Sequence, residues 1–485
     1  MSGLAFLKGQ WAKAHQQWRG WMNPKGFAAQ WYYKQYPDVA VSGVNPYRHF
    51  VNHGAYEGRN PMPGFSFSGY LFQQQLSVEQ GLRVWRQDSQ IKPGVIKVAG
   101  DREVDTSALN LLCVGHQLGE QIQGAERSFL DVISALQSQP LNLWVLLPEA
   151  KNTDYVNALT RKVCGVAFLP YAWWQANRRC DEDTCAWLVS FIQQQDFQVI
   201  YVNTSVLYEP LVAAKSCQLP VITHVRELPQ HDESLCSLMA TTPEGLLNHI
   251  SQLTDRFIAN SKCVAQFLGD AKPVDVIPNM YDNALTQPIP LPGKSRLQVG
   301  IISSNIQKKG LQDFFDLALL AESEAVAADF LIYGPETELL TRLKKRADWP
   351  CCLYDKGYVD HVSQALVELD VVVNVSNFEE SFGRTLLEAM CSGRIPVAYD
   401  FGALSELVQP EFGILVPQGD IKGLLRAVDS LCYDANKRDE MRAAASTFAY
   451  DHYSPEVISN TLYQLVKQTV AKSTVSEFSS CSTLD

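Results

Sequence analysis

The residues best placed to do chemistry stand close together in NVSNFEESFGRTLLEAMCSGRIPVAYD, residues 374–400. An apolar run ending near Val375 reads as a strand. A loop with Glu379, Glu380 and Gly383 follows, and Arg384–Cys391 reads as a helix. Glu388 falls inside the apolar run Leu386, Leu387, Ala389, Met390. It is either the exposed stripe of an amphipathic helix or a buried carboxylate, which needs partners to be tolerated. Glu380 precedes it by eight residues, across a strand-to-helix turn. Carboxylates at a strand's carboxyl end can accept hydrogen bonds from ligand hydroxyls. The backbone N–H groups of Phe382, Gly383, Arg384 and Thr385 open a helix and suit phosphate. Two further clusters carry charge. VGIISSNIQKKG (299–310) holds Lys308 and Lys309, and PVITHVRELP (220–229) holds His224, Arg226 and Glu227. His224 and Arg226 are two apart on an extended run and share a strand face.

Something must hold these groups in place. Apolar runs of strand length recur at Leu111–Val114, Leu143–Leu147, Val163–Leu169, Val199–Val202, Val221–Val225 and Phe257–Ala259. Helical stretches such as Arg127–Leu136 lie between several of them. After TQPIPLPG (286–293) the pattern restarts at Val299–Ile302, Phe330–Tyr333, Val371–Val375, Ile395–Ala398 and Ile414–Val416, with helices over Leu311–Ala321 and Ile421–Leu431. Unbroken apolar strands separated by helices predict parallel sheets covered on both faces. The expectation is an α/β chain of two doubly wound domains, 101–290 and 291–454, facing across a cleft. A small helical module (1–100) precedes them, and a helix (455–472) and a mobile tail (473–485) follow. Ligands of such sheets bind beyond the strands' carboxyl ends.

The N-terminus differs from the rest. Residues 1–37 hold no Asp or Glu but five Lys or Arg and four of the ten tryptophans. Leu4, Leu7, Trp11, Ala14, Trp18 and Trp21 follow one helix face, which either lies on an anionic membrane surface or packs on the protein. His49, His53 and Glu57 share a helical spacing and read as a polar helix surface or packed histidines rather than a metal face. Twelve scattered cysteines, among them Cys180, Cys185, Cys351 and Cys352, give no zinc spacing and read as thiols in a cytosolic chain. Lys and Arg number 41 against 52 Asp and Glu, a net charge of −11, which argues against nucleic acid as a partner. No apolar run is long enough to span a bilayer. Asp181-Glu182-Asp183 sits at a helix start, and Gly293-Lys294-Ser295 lacks the earlier glycine of a phosphate loop.

The spacing Glu380–Glu388, with CSGRIPVAY and GILVPQGD (413–420) after it, resembles the retaining glycosyltransferases of family 4, which have the GT-B fold. The resemblance covers most of residues 108–450. It implies that Glu388 binds the donor ribose and that Glu380 contacts the transferred sugar or leaving group. Ser381, Phe382, Gly383, Arg384 and Thr385 would contact sugar and phosphate. GYVD (357–360) would border the nucleobase through Tyr358 and Val359. GHQLGEQIQGAERSFLDVISAL (115–136) matches a glycine-rich loop, with Gly124 letting backbone approach the donor. Lys309 before Gly310 matches the family's diphosphate lysine. Ser304 falls where an arginine is usual, and Lys308 and Arg384 are the cations that could replace it. His224 and Arg226 compete for the histidine that contacts the sugar. The catalytic set implied is Glu380, His224, Arg226 and Lys309. No metal or other cofactor is required, the donor being a nucleotide-diphosphate sugar. Residues 31–61 are similar to a helical module found before some bacterial polysaccharide glycosyltransferases. The implied role is sugar transfer with retention to a glycan or lipid-linked acceptor, in bacterial surface polysaccharide synthesis, at the inner face of the cytoplasmic membrane. A non-catalytic scaffold of the same fold and a sugar-nucleotide epimerase are the alternatives.

Overall fold

The computed structural model describes residues 26–87, 91–116, 119, 122, 124–282, 285 and 287–481, with side chains to residue 472. The tryptophan stripe from Leu4 to Trp21 lies outside them. Eight strands form the first sheet: β1 (Ile96–Ala99), β2 (Leu109–Val114), β3 (Leu141–Leu147), β4 (Gly165–Phe168), β5 (Val199–Val202), β6 (Val221–Val225), β7 (Arg256–Ala259) and β8 (Val274–Val276). Their order is β1-β4-β3-β2-β5-β6-β7-β8. All pairs are parallel except β1 with β4. Six strands form the second: β9 (Leu297–Ile302), β10 (Ala328–Tyr333), β11 (Leu353–Gly357), β12 (Val371–Asn374), β13 (Ile395–Tyr399) and β14 (Ile414–Val416). They run parallel in the order β11-β10-β9-β12-β13-β14.

The unbroken apolar runs have a simple cause. Every residue of β4, β5, β6, β12 and β13 is buried, because helices cover both faces of the sheet. Each fully buried Val, Ile or Leu contributes about 1.5–3 kcal/mol. The three strands not foreseen, β1, β8 and β11, lie at sheet edges and alternate or expose their side chains. In both sheets the strand order reverses beside the first-wound strand, between β2 and β5 and between β9 and β12. A crevice opens at the carboxyl ends there.

Arg394 ties the interdomain linker to the second sheet. Its buried guanidinium donates to the carbonyls of Leu366 (2.8 Å), Ile289 (2.9 Å), Pro290 (2.8 Å) and Ser392 (3.0 Å). The helix Pro455–Cys481 runs past the expected end at Lys472, into the stretch read as a mobile tail. It returns to the first domain and sinks Ile458, Leu462, Leu465 and Val466 into that core. The N-terminal helices enclose an aromatic core of Phe27, Tyr32, Phe50, Phe67 and Trp85. Tyr32 Oη and His49 Nδ1 are 3.1 Å apart there, so His49 serves packing. Cys180 and Cys185 are free thiols with sulfurs 2.9 Å apart. Among the described residues no helix is long and apolar enough to cross a membrane, and no group of three or more His, Cys, Asp or Glu could hold a metal ion.

Candidate functional site

A cavity of about 750 Å³ separates the carboxyl ends of the two sheets. Every residue of the implied catalytic and donor-binding set lines it except His224, and the alternative cation Lys308 also lies off it. The second sheet supplies the charged wall. β12 ends at Asn374, whose Oδ1 accepts from the Ser376 N–H at 3.1 Å and turns the chain toward Glu380. Glu380 Oε1 accepts from Ser376 Oγ (2.6 Å) and Lys309 Nζ (2.7 Å). Lys309 also stands 4.6 Å from the Phe378 ring centroid. Gly310, next to it, has φ +74°, and a Cβ there would collide with the Val375 carbonyl oxygen. That contact fixes Lys309 against the end of β12.

The helix Arg384–Cys391 starts from Gly383, φ 96°, with no side-chain cap. Its first N–H groups therefore remain open toward the cavity. Glu388 is buried on this helix, so the exposed-stripe alternative fails. Burial pushes its carboxyl above the ordinary range, against the pull of Arg384. Arg384 is not a spare cation. Its Nη1 donates to Asp131 Oδ2 (2.7 Å) and Ser128 Oγ (3.0 Å), and Nη2 to Glu388 Oε1 (3.3 Å). Two carboxylates share that charge, and burial also raises the Asp131 carboxyl. Lys308 fills the gap no better. It pairs with Asp232 at 3.4 Å and is not on the cavity wall. Ser304 itself is exposed on that wall. Neither cation therefore stands in for the arginine that Ser304 replaces.

The first sheet supplies a mostly neutral wall. Arg226, just past β6, reaches the cavity, whereas His224 is buried behind it. The reason is local. His224 Nδ1 lies 2.7 Å from Tyr201 Oη and 3.2 Å from Arg226 Nη2, enclosed within the sheet. Burial, with the Arg226 charge beside it, holds His224 neutral, well below the usual imidazole range. Of the competing pair, Arg226 faces the cleft and His224 orients it. The guanidinium also bonds Asn203 Oδ1 at 3.0 Å and Asn279 Oδ1. Glu227 is occupied with the hydroxyls of Thr204 (2.5 Å) and Ser205 (2.8 Å). Gly124 opens the helix Gly124–Leu136, and a Cβ there would meet nothing within 4 Å, so packing does not require the glycine. Tyr358 and Val359 border the far end of the cavity, beside Tyr333 and Gly334.

Polar contacts draw the walls together. Besides Arg384–Asp131, Asn260 Nδ2 donates to Ser381 Oγ (3.4 Å), and Arg127 Nη2 to the Asp360 carbonyl (3.3 Å). Glu406 accepts from the N–H groups of Lys262 (2.8 Å) and Cys263 (2.9 Å), at the start of the helix Lys262–Leu268. Sequence reasoning missed Asn203, Asn260, Asn279 and Asn374. Asn203, Asn260 and Asn374 end or directly follow an apolar run (YVN, IAN, VVN), which was the available signal, whereas Asn279 comes after the edge strand β8, which leaves none. It also missed Asp131, whose spacing from Ser128 puts both on one helix face.

Comparison with known proteins fits this geometry. The chain matches the model of Glycosyltransferase Family 4 over residues 122–285 and that of Glycosyl transferases group 1 over 296–434. Together these take in more than half of it. It is 29% identical over 202 residues to the 2-deoxystreptamine N-acetyl-D-glucosaminyltransferase of Streptomyces fradiae. That match covers 40% of this chain and 47% of the relative, about half its length. Among solved structures, Anabaena HepE in complex with UDP-glucose superposes with a TM-score of 0.59 at 19% identity, over 74% of this chain and 100% of that one. A glycosyltransferase from Rickettsia africae gives 0.59 at 14% identity, over 75% and 99%. At these identities the structures share the fold, two wound sheets across a cleft.

Proposed function

Because the chain belongs to the family 4 glycosyltransferases of the GT-B fold, we propose that it moves a sugar from a nucleotide diphosphate to a hydroxyl of a glycan or lipid-linked acceptor, with retention of configuration. The observation that carries this reading is the meeting of Glu380, Lys309 and an uncapped helix N-terminus in one interdomain cavity. Departure of the sugar leaves negative charge on the diphosphate. The open N–H groups at Gly383–Thr385 and the Lys309 ammonium would receive it, already oriented before the reaction. Ser304 would add a hydroxyl in place of a second cation. Glu388, held against Arg384, would accept hydrogen bonds from ribose hydroxyls. Glu380 would meet the transferred sugar, which becomes oxocarbenium-like. Arg226 reaches in from the opposite wall, toward the sugar side. The chain's own groups suffice for these steps without a metal. Contacts such as Arg384–Asp131 close the walls and limit loss of the sugar to water.

The bacterial surface-polysaccharide setting and the inner-membrane location belong to the same proposal. They are supported by the resemblance of residues 31–61 and by the basic, tryptophan-rich residues 1–37. Thermal unfolding of wild type and Glu388→Ala with GDP, UDP, dTDP, ADP and CMP tests the central claim. A nucleotide at 100 times its dissociation constant stabilises by about 2.7 kcal/mol. One nucleotide should raise the wild-type midpoint and leave the variant's unchanged. A shift that survives in Glu388→Ala would sink the ribose assignment.

A further inference from the structure

A second cavity, about 840 Å³, lies in the seam between the N-terminal helices and the first sheet. It falls within the size range of small-molecule sites. Lys151, following β3, and Asn157, on the helix Thr153–Thr160, come from the sheet side. Tyr56 and Gln75 face them from the N-terminal helices. Gly58 has φ +70°, and a Cβ there would run into the Lys151 side chain, so the two parts meet closely at this point. The seam also adjoins the donor cavity. Gly119 borders the second cavity, while Ile122 and Gly124, in the same connection between β2 and its helix, border the first. The seam opens near Gly119 and Lys151, which follow the carboxyl ends of β2 and β3, and runs along the helix Thr153–Thr160 to Ala99 and Asp101, beside the amino end of β4.

The lining has the chemistry of a sugar-binding surface. Gln75, Asp101 and Asn157 are exposed on it, and each presents planar donors or acceptors. The Tyr56 ring is 49% exposed, and its hydroxyl is held by Glu79 at 3.2 Å, so the ring face is fixed and open. An aromatic face beside planar amides and carboxylates matches a ring with an apolar C–H face and polar edges. Charge narrows the class. Glu57 is paired with Arg59 at 2.6 Å and Lys151 with Glu149 at 2.9 Å, which leaves the Asp101 carboxylate without a paired cation among the described residues. That balance disfavours phosphate and uronate.

We infer that the seam is an acceptor subsite for the distal sugars of a neutral oligosaccharide whose growing end reaches the donor cavity. The inference rests on the glycosyl-transfer reading above and gives the N-terminal helices a part in acceptor choice. The test titrates the full chain with glucose, galactose, rhamnose and N-acetylglucosamine oligomers, from disaccharide to hexasaccharide, and with uronate-containing chains of the same lengths. Saturation-transfer NMR reads binding. Neutral hexasaccharides should bind better than disaccharides. Asn157→Trp, which fills the seam, and Tyr56→Ala should each weaken this about tenfold or more, a hot-spot-sized loss. Both variants should keep the wild-type nucleotide response, and Glu388→Ala should keep oligosaccharide binding while losing the nucleotide. Failure of every oligomer to bind at millimolar concentration, preference for the acidic chains, or binding indifferent to both seam variants would overturn the subsite. Oligosaccharide binding without a response to any nucleotide would leave the subsite standing and remove the transfer reading.

Discussion

The two walls of the donor cavity come from sheets of the same winding, yet they carry opposite kinds of side chain. The wall on the second sheet bears charges set in pairs: Lys309 with Glu380, and Arg384 with Glu388. The wall on the first sheet bears the amides Asn260 and Asn279 beside Arg226, whose guanidinium is bonded to neutral partners: Asn203, Asn279, Tyr201 and His224. The difference reflects what each wall would meet. A leaving diphosphate develops charge and benefits from fixed opposite charge. A sugar and an acceptor present hydroxyls, which amides match as donor and acceptor at once. Arg384 and Asp131 join the two schemes across the cleft.

The strongest way to break this contrast is to neutralise the charged wall. Lys309→Met should lower kcat by about 10²–10³, the cost of losing one preorganised stabiliser, measured as initial rates with the sugar nucleotide that wild type accepts. A loss below about tenfold would move the diphosphate elsewhere. Next in size is the bridge between the walls. Asp131→Asn should cost about 1.5–3 kcal/mol of stability by weakening a hydrogen bond to a charged group, read from chemical denaturation. It should also flatten the pH profile. Asp131 and Glu388 have carboxyls raised by burial, so the folded chain keeps protons that the unfolded chain releases above about pH 4. Wild-type stability should therefore fall as pH rises from that point through the raised values, and Asp131→Asn or Glu388→Gln should each remove part of the slope.

The neutral wall should respond more mildly. Arg226→Gln should reduce kcat/KM about tenfold, roughly 1.4 kcal/mol, with the nucleotide-induced shift in midpoint unchanged. An equal loss of nucleotide stabilisation would put Arg226 on the diphosphate and erase the contrast. Smallest is the cap between domains. Glu406→Gln should cost about 0.3–1 kcal/mol, the usual worth of a carboxylate at a helix start, and should raise KM more than it lowers kcat.

The sequence located most of this, for identifiable reasons. Val199–Val202 and Val221–Val225 appear with the predicted bounds, because strands buried on both faces leave unbroken apolar runs; the edge strand Ile414–Val416 does so because its three residues are all apolar. Arg384–Cys391 is likewise as predicted, since Gly383 and the apolar pattern mark its start. Edge strands β1, β8 and β11 were illegible because half their side chains face water and leave no such run. His224 was misplaced for a related reason. Alternation puts it on the same face as Arg226, but it cannot say that Tyr201 on the neighbouring strand closes over the histidine and leaves the arginine outside. The charges were misread at Arg384, where a spare cation was expected. Asp131, 253 residues away, could be paired with it only by folding the two domains face to face.

The sequence by itself determined the two wound sheets, the strand-to-helix turn that carries Glu380, and the spacing that sets Glu388 on the following helix. These depend on local pattern, which neighbouring residues carry. The tertiary structure alone decided which charges are free and which are spent, that Arg226 rather than His224 reaches the cavity, and that the N-terminal helices enclose a second cavity beside the first. Those outcomes turn on desolvation and on partners hundreds of residues distant, and no local pattern holds that information.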